Sequence, residues 1–154
     1  DMAYSRPDLK GMGTTVVAVV VRDNVAHIAH AGDSRAYIVN KDGVEQITVD
    51  HSLVQNLVDR GEITKEEAEH HPNKNVITRA LGVDKRIDVD FSEVDLQENE
   101  TLILCTDGLS NCVNNAEIAD DIKDGQYYAF ADRLVKRANK NGGNDNITVV
   151  AIAI

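Results

Sequence analysis

The apolar positions come first as short, dense runs. Six consecutive apolar residues, Val16 to Val21, predict a strand, and the lack of alternation predicts that both its faces are covered. Val25 to Ala31, Ala36 to Val39 and Val44 to Val49 follow as three further strands. Short polar turns separate them: Arg22-Asp23-Asn24, Gly32-Asp33-Ser34 and Lys41-Asp42-Gly43. Turns this short predict antiparallel neighbours arranged as a β-meander.

The period then changes. Leu53, Val54, Leu57 and Val58 mark one helical face behind a Ser52 cap, and Gly61 stops it. Thr64 with Glu67 is a capping box that opens a second helix ending before Pro72. The second helix, KEEAEHH, has little to bury, so the hairpin over 52–71 is expected at the periphery, moving more readily than the sheet. Strand signals return where Ile87, Val89 and Phe91 alternate with aspartates, predicting a half-exposed strand, and again at Thr101 to Cys105. Asn114 and Glu117 form another capping box, for a helix carrying Ile118, Ala119 and Ile122. Tyr127, Phe130, Ala131, Leu134, Val135 and Ala138 stand at helical spacing, Gly142-Gly143 ends that helix, and Ile147 to Ile154 closes as a buried strand.

Strands, then helices, then a final strand is not a regular βα alternation. The order predicts an α+β domain of antiparallel sheets layered with helices, with a doubly wound parallel sheet as the weaker alternative. At 154 residues, 42% of them hydrophobic, the chain suits one domain or a large piece of one. Its formal net charge of -10 repels polyanions, and without a basic patch nucleic acid is not an expected partner. Apolar runs far shorter than about 20 residues predict no membrane span. Cys105 and Cys112 fit neither a CxxC pair nor a zinc knuckle and read as reduced thiols. A soluble, cytoplasmic protein is expected. The opening DMAYSRPDLKGMG has no initiating methionine and no clean first element, which raises the expectation of a fragment.

Three aspartates share a setting that the other acidic residues lack. Asp33 in AHAGDSRAY, Asp107 in LILCTDGLSN and Asp145 in NGGNDNITVV each lie beside an apolar strand and a glycine or Gly/Asn turn. Strand ends are rigid and turns accessible, so such carboxylates can converge at one end of a sheet. Converging carboxylates repel and either take up protons or need a cation. A hard divalent ion, Mn²⁺ or Mg²⁺, answers that need, and is most useful on phosphate esters. Any one of these motifs alone is more often an Asx turn than a ligand. A rival nucleophile, Cys105, fails the Cys-x₅-Arg test, because the sixth following position is Asn111. His27 and His30 read as strand histidines, His51 as a cap neighbour, and His70 and His71 as residues at a helix end.

Taken together, GMGTT (11–15), AHAGDSRAY (29–37), DHSLV (50–54), TRALG (78–82), CTDGL (105–109) and GGNDNITVV (142–150) resemble, in order, the later motifs of the PPM family of metal-dependent serine/threonine phosphatases, the type 2C enzymes. With its HHPNKN segment the chain is most similar to the bacterial members. The resemblance implies a four-layer α-β-β-α sandwich and two core Mn²⁺ or Mg²⁺ ions, with an additional, weaker third. Asp107 and Asp145 would be core ligands and Asp33 a ligand of the third, with Asn146, Gly108 and Ser34 in support, and the hairpin over 52–71 would be the flap beside the active site. The implied substrates are phosphoserine and phosphothreonine proteins made by a cognate kinase, hydrolysed by a metal-activated water.

The family's early phosphate-binding arginine, first acidic ligand and DGxGGH motif are not found. The resemblance therefore implies a C-terminal portion of the catalytic domain over 1–154, incomplete at its N-terminal side, binding metal weakly and prone to associate. Two rivals stay open: a non-catalytic pseudophosphatase or binding module, against which the three aspartates argue, and a phosphatase of small phosphorylated molecules.

Overall fold

Two turns decide the topology. In this computed structural model, which describes residues 2–123 and 127–154, β1 (Val16–Arg22) passes into β2 (Val25–Ala31) through Asp23 and Asn24. Their φ values of 51° and 61° are the paired left-handed conformations of a two-residue hairpin, whose twist matches that of the strands. At Gly32 the chain leaves this sheet. Its φ is +118°, and a Cβ there would stand 2.3 Å from the Thr15 methyl carbon, so both the bend and the close approach demand glycine.

The predicted meander is therefore two hairpins in different sheets. β3 (Arg35–Asn40) and β4 (Gly43–Gln46) pair with each other and not with β2. With β5 (Asp90–Asp95), β6 (Thr101–Cys105) and β7 (Val149–Ala153) the described residues form two antiparallel sheets, ordered β1-β2-β5 and β4-β3-β6-β7. A short turn limits how far the chain travels; it does not dictate that its flanking strands hydrogen-bond.

One core lies between the sheets, where Ala26 and Ile28 meet Ala36, Ile38 and Leu102, flanked by Val17, Val19 and Val94. The other lies beneath two helices, α5 (Asn115–Lys123) and α6 (Phe130–Lys140), which follow four shorter ones: α1 (Met2–Ser5), α2 (Leu53–Asp59), α3 (Lys65–Glu69) and α4 (Asp107–Ser110). Ile118, Phe130, Leu134 and Ala138 pack on Tyr37, Val39, Ile103 and Cys105. Asn114 and Glu117 exchange backbone hydrogen bonds at 3.0 Å, the predicted capping box, and Arg137 forks onto Asp121 at 2.7 Å to tie α5 to α6. Ser52 caps α2, and Thr64 with Glu67 closes the box on α3, which buries no side chain.

The strand predictions fail where one face lacks cover. β1 is an edge strand with Val17 and Val19 turned inward, while Val20 is 65% exposed, so its apolar run is not covered on both faces. β5 begins only at Asp90 and its phase is opposite to the predicted one. Pairing sets that phase: Val94 lies across from fully buried Ala26, and Phe91 lies across from Ala29 on the outer face, 80% exposed. Among the described residues no helix covers this outer face, so three of the four expected layers are present.

Candidate metal centre

The register brings the three aspartates to one end of the four-stranded sheet. Arg35 at the start of β3 pairs with Cys105 at the end of β6, which pairs with Val149 at the start of β7. Asp33 stands two residues before Arg35, Asp107 two after Cys105, and Asp145 four before Val149. Antiparallel pairing thus delivers one strand exit between two strand entries.

Each turn is pinned. Asp107 opens α4, a single turn that the sequence did not announce, anchored by fully buried Leu109. Thr106 Oγ1 donates to the Asn146 carbonyl at 3.2 Å and accepts the Thr148 N–H at 3.0 Å, clasping the exit of β6 to the loop before β7. Gly108 is buried against that loop: a Cβ on it would fall 2.3 Å from the Asn146 carbonyl oxygen. The Asn146 N–H donates to the Asp145 carboxylate at 2.7 Å. Ser34 is buried and shares a hydrogen bond of 2.9 Å with Thr15.

The electrostatics show which carboxylates feel each other. Burial, then the charge of Asp107, raises the Asp33 pKa above the ordinary carboxylate value. Burial, then the charge of Asp145, does the same to Asp107, against hydrogen bonds from the Gly108 and Asp107 N–H groups. Asp107 is the middle member of two neighbouring pairs. The three are not drawn together as ligands of one ion. Among the described residues the trio whose ligand atoms all lie within 4.8 Å is His30, His51 and Asp90.

No lysine or arginine is ion-paired to Asp33, Asp107 or Asp145 among the described residues. The nearby Arg35 guanidinium is committed to Asp50 at 2.7 to 3.1 Å and to the Tyr37 hydroxyl. Half-buried Asp33 and Asp107 and exposed Asp145, repelling as neighbouring pairs, without an ion-paired base among the described residues and presenting only hard oxygen donors, fit Mn²⁺ or Mg²⁺. Cys105 is the reverse case: burial pushes its thiol up to about 12, so it packs and does not attack.

His51 and Asp90 carry a second constellation that sequence reasoning missed. His51, expected as a cap neighbour, is buried and stacked on His30, with ring centroids 4.5 Å apart. Its Nδ1 accepts the Gly32 N–H at 3.0 Å, and its Nε2 stands 3.0 Å from Asp90. An amide only donates and a carboxylate only accepts, so the ring is the neutral Nε2–H tautomer. Burial, before any charge, lowers the His51 pKa in keeping with this. The Arg79 guanidinium already bonds Asp90 at 2.7 Å and lies 3.1 Å from His51, and His30 bonds the Val49 carbonyl. A metal ion has no place in this trio, because its cation position is filled by Arg79. The only sequence signal was DHS beside the strand pattern; the partners are 39 residues apart.

Comparison with known proteins shows the family. The family model described as protein phosphatase 2C matches residues 2–150. The chain is 46% identical over 151 residues to a serine/threonine phosphatase, stp, of Listeria innocua, an alignment covering 97% of this chain. It superposes with a TM-score of 0.92 on the crystal structure of the phosphatase Stp1 from Staphylococcus aureus, at 41% identity, covering 99% of this chain and 60% of that one. A PstP catalytic domain solved with two manganese ions matches at a TM-score of 0.82 and 37% identity, covering 97% of this chain and 62% of that one. The chain spans about 60% of the length of the Listeria relative.

Proposed function

This chain belongs to the protein phosphatase 2C family, and from that premise we propose that the protein containing it is a metal-dependent phosphatase of phosphoserine and phosphothreonine proteins. The observation that carries this reading is the convergence of Asp33, Asp107 and Asp145 at one sheet end, where Asp107 repels Asp33 and Asp145 repels Asp107, with no ion-paired base among the described residues.

In this reading Asp107 and Asp145 hold the core pair of Mn²⁺ or Mg²⁺ ions, and Asp33 with Asp107 the additional one. Bound there, such ions would neutralise phosphoryl oxygens and supply an acidified water for direct attack. The residues of the chain contribute placement. Thr106, Gly108 and Asn146 fix the spacing of Asp107 from Asp145, and Gly32 and Ser34 fix Asp33. The α2–α3 hairpin, whose second helix buries nothing, is the flap that contributes to substrate choice.

The proposal extends to the shape of the domain. Residues 1–154 form the C-terminal portion of one catalytic domain, supported by the uncovered outer face of β1-β2-β5 and by the share of the relatives spanned. A cognate kinase supplies the substrates, and the cytoplasm is the expected compartment; no helix among the described residues is long and apolar enough to cross a membrane.

Mn²⁺ calorimetry and hydrolysis of phosphopeptides and p-nitrophenyl phosphate, on this chain and on the full-length protein, test the reading. The full-length protein should turn over phosphopeptides only with metal, and this chain should bind Mn²⁺ weakly and hydrolyse poorly. Metal-independent turnover, or tight binding and brisk turnover by the chain alone, would overturn it.

A further inference from the structure

The turn that carries Asp33 is held from outside the carboxylate cluster, and the device that holds it reaches the opposite sheet. Gly32 makes two hydrogen bonds, both to His51: its N–H donates to Nδ1 at 3.0 Å, and its carbonyl accepts the His51 N–H at 2.9 Å. His51 Nε2–H in turn donates to Asp90 on β5, which the Arg79 guanidinium clamps from its other oxygen. On the far side of the turn Ser34 is bonded to Thr15, whose methyl group fills the space a Cβ on Gly32 would need. The backbone of Asp33 is therefore fixed through both of its neighbours. The His51 imidazole links that turn to β5, alongside the run of chain from β2 and the Ser34–Thr15 bond at the entry to β1.

We propose that His51 is a positioning residue for Asp33: its neutral imidazole, oriented by Asp90 and Arg79, accepts the Gly32 N–H, while its backbone N–H holds the Gly32 carbonyl. The inference deepens the reading of Asp33 as a ligand of the additional metal and rests on it. Removing the Nδ1 acceptor leaves a buried Gly32 N–H unpaired, which the turn can relieve only by moving. Moving the turn moves the Asp33 carboxylate relative to Asp107, while Asp107 and Asp145, held by Thr106 and Gly108, keep their spacing. The expected signature is thus selective: the additional site weakens and the core pair does not.

The experiment uses the full-length protein with His51→Phe, His51→Asn and Asp33→Asn. Phenylalanine keeps a flat ring on His30 but offers no acceptor; asparagine places its Oδ1 where Nδ1 stood. Two readouts are taken: hydrogen exchange of the Gly32 amide without metal, and Mn²⁺ calorimetry. His51→Phe should speed Gly32 exchange and weaken the additional Mn²⁺ site about tenfold, and His51→Asn should restore most of both.

Wild-type exchange and wild-type Mn²⁺ binding in His51→Phe would overturn the proposal, as would equal weakening of core and additional sites or no rescue by asparagine. Asp33→Asn separates the two levels. If it leaves the Mn²⁺ titration unchanged, the ligand reading of Asp33 fails, whereas loss of a site in Asp33→Asn with none in His51→Phe sinks only the positioning role. Should the phenylalanine variant not fold, Asp90→Ala at an exposed position carries the test. It should weaken the same site about threefold, and an unchanged site with unchanged Gly32 exchange would overturn the inference.

Discussion

Adding one methyl group at Gly108 should spread Asp107 and Asp145, the proposed ligands of the core metal pair. A Cβ there would stand 2.3 Å from the Asn146 carbonyl oxygen and 2.9 Å from its carbon, distances that Cβ atoms do not adopt. To reach even 3.0 Å from that oxygen, the 145–146 backbone must retreat from α4 by about 0.7 Å. The loop cannot swing freely, because the same Asn146 carbonyl accepts from Thr106, at 3.2 Å already a long bond. Metal–ligand distances tolerate about 0.2 Å, so the shift takes Asp145 out of joint reach with Asp107. Misplacements of about 1 Å cost roughly 100-fold in rate, and overpacking costs about 1–3 kcal/mol of stability. Gly108→Ala in the full-length protein should therefore lower Mn²⁺ affinity and phosphopeptide turnover by about 10–100-fold, with a smaller loss in thermal stability. Calorimetry, steady-state turnover at saturating Mn²⁺ and a thermal melt measure the three. Unchanged Mn²⁺ affinity would refute the reasoning, since it would mean that the Gly108–Asn146 contact does not set the Asp107–Asp145 spacing.

The remaining expectations concern charge and backbone. Asp107→Asn should weaken Mn²⁺ binding beyond the roughly 100-fold typical of losing an outer-shell partner, yet stabilise the metal-free protein at neutral pH in urea unfolding, because the middle charge of three is gone. In the metal-free wild type, Asp33 and Asp107 have folded pKa values above their ordinary ones, so their cost to stability is present above those values and fades as pH falls through them. Mn²⁺ affinity should fall over that same acidic range, as protons compete for the oxygens, and a flat titration there would contradict the convergence. His51 runs the other way: its lowered pKa means stability present above the ordinary histidine value and lost as pH falls from it through the folded value, a loss absent in His51→Asn. Gly32→Ala combines a positive φ with a 2.3 Å approach to Thr15 and should cost at least about 2 kcal/mol by chemical denaturation.

What could be read along the chain was local chemistry. The caps at Ser52, Thr64 and Asn114 were legible because a cap and its partner lie three residues apart. The strand runs at Val25–Ala31 and Thr101–Cys105 were legible to the residue, being buried on pairing. Asp33, Asp107 and Asp145 were legible as candidates because each follows or precedes a strand beside a glycine. The phase of β5 was not, since partner strand β2, not its own alternation, set which residues face in.

The sequence by itself determined where elements begin, which carboxylates stand at their ends, and, through ordered motifs, the family. Only the tertiary structure decided which ends meet. The split of two hairpins between two sheets, the pairing of β6 between β3 and β7, and the contact of His51 with Asp90 join residues far apart in sequence, at distances no local pattern encodes. The physical reason is that propensity and capping act over a turn or two of chain, whereas register and burial are properties of two surfaces meeting. The repulsion of Asp33 by Asp107 and of Asp107 by Asp145, which supports the proposal of a cation there, exists only once those surfaces have met.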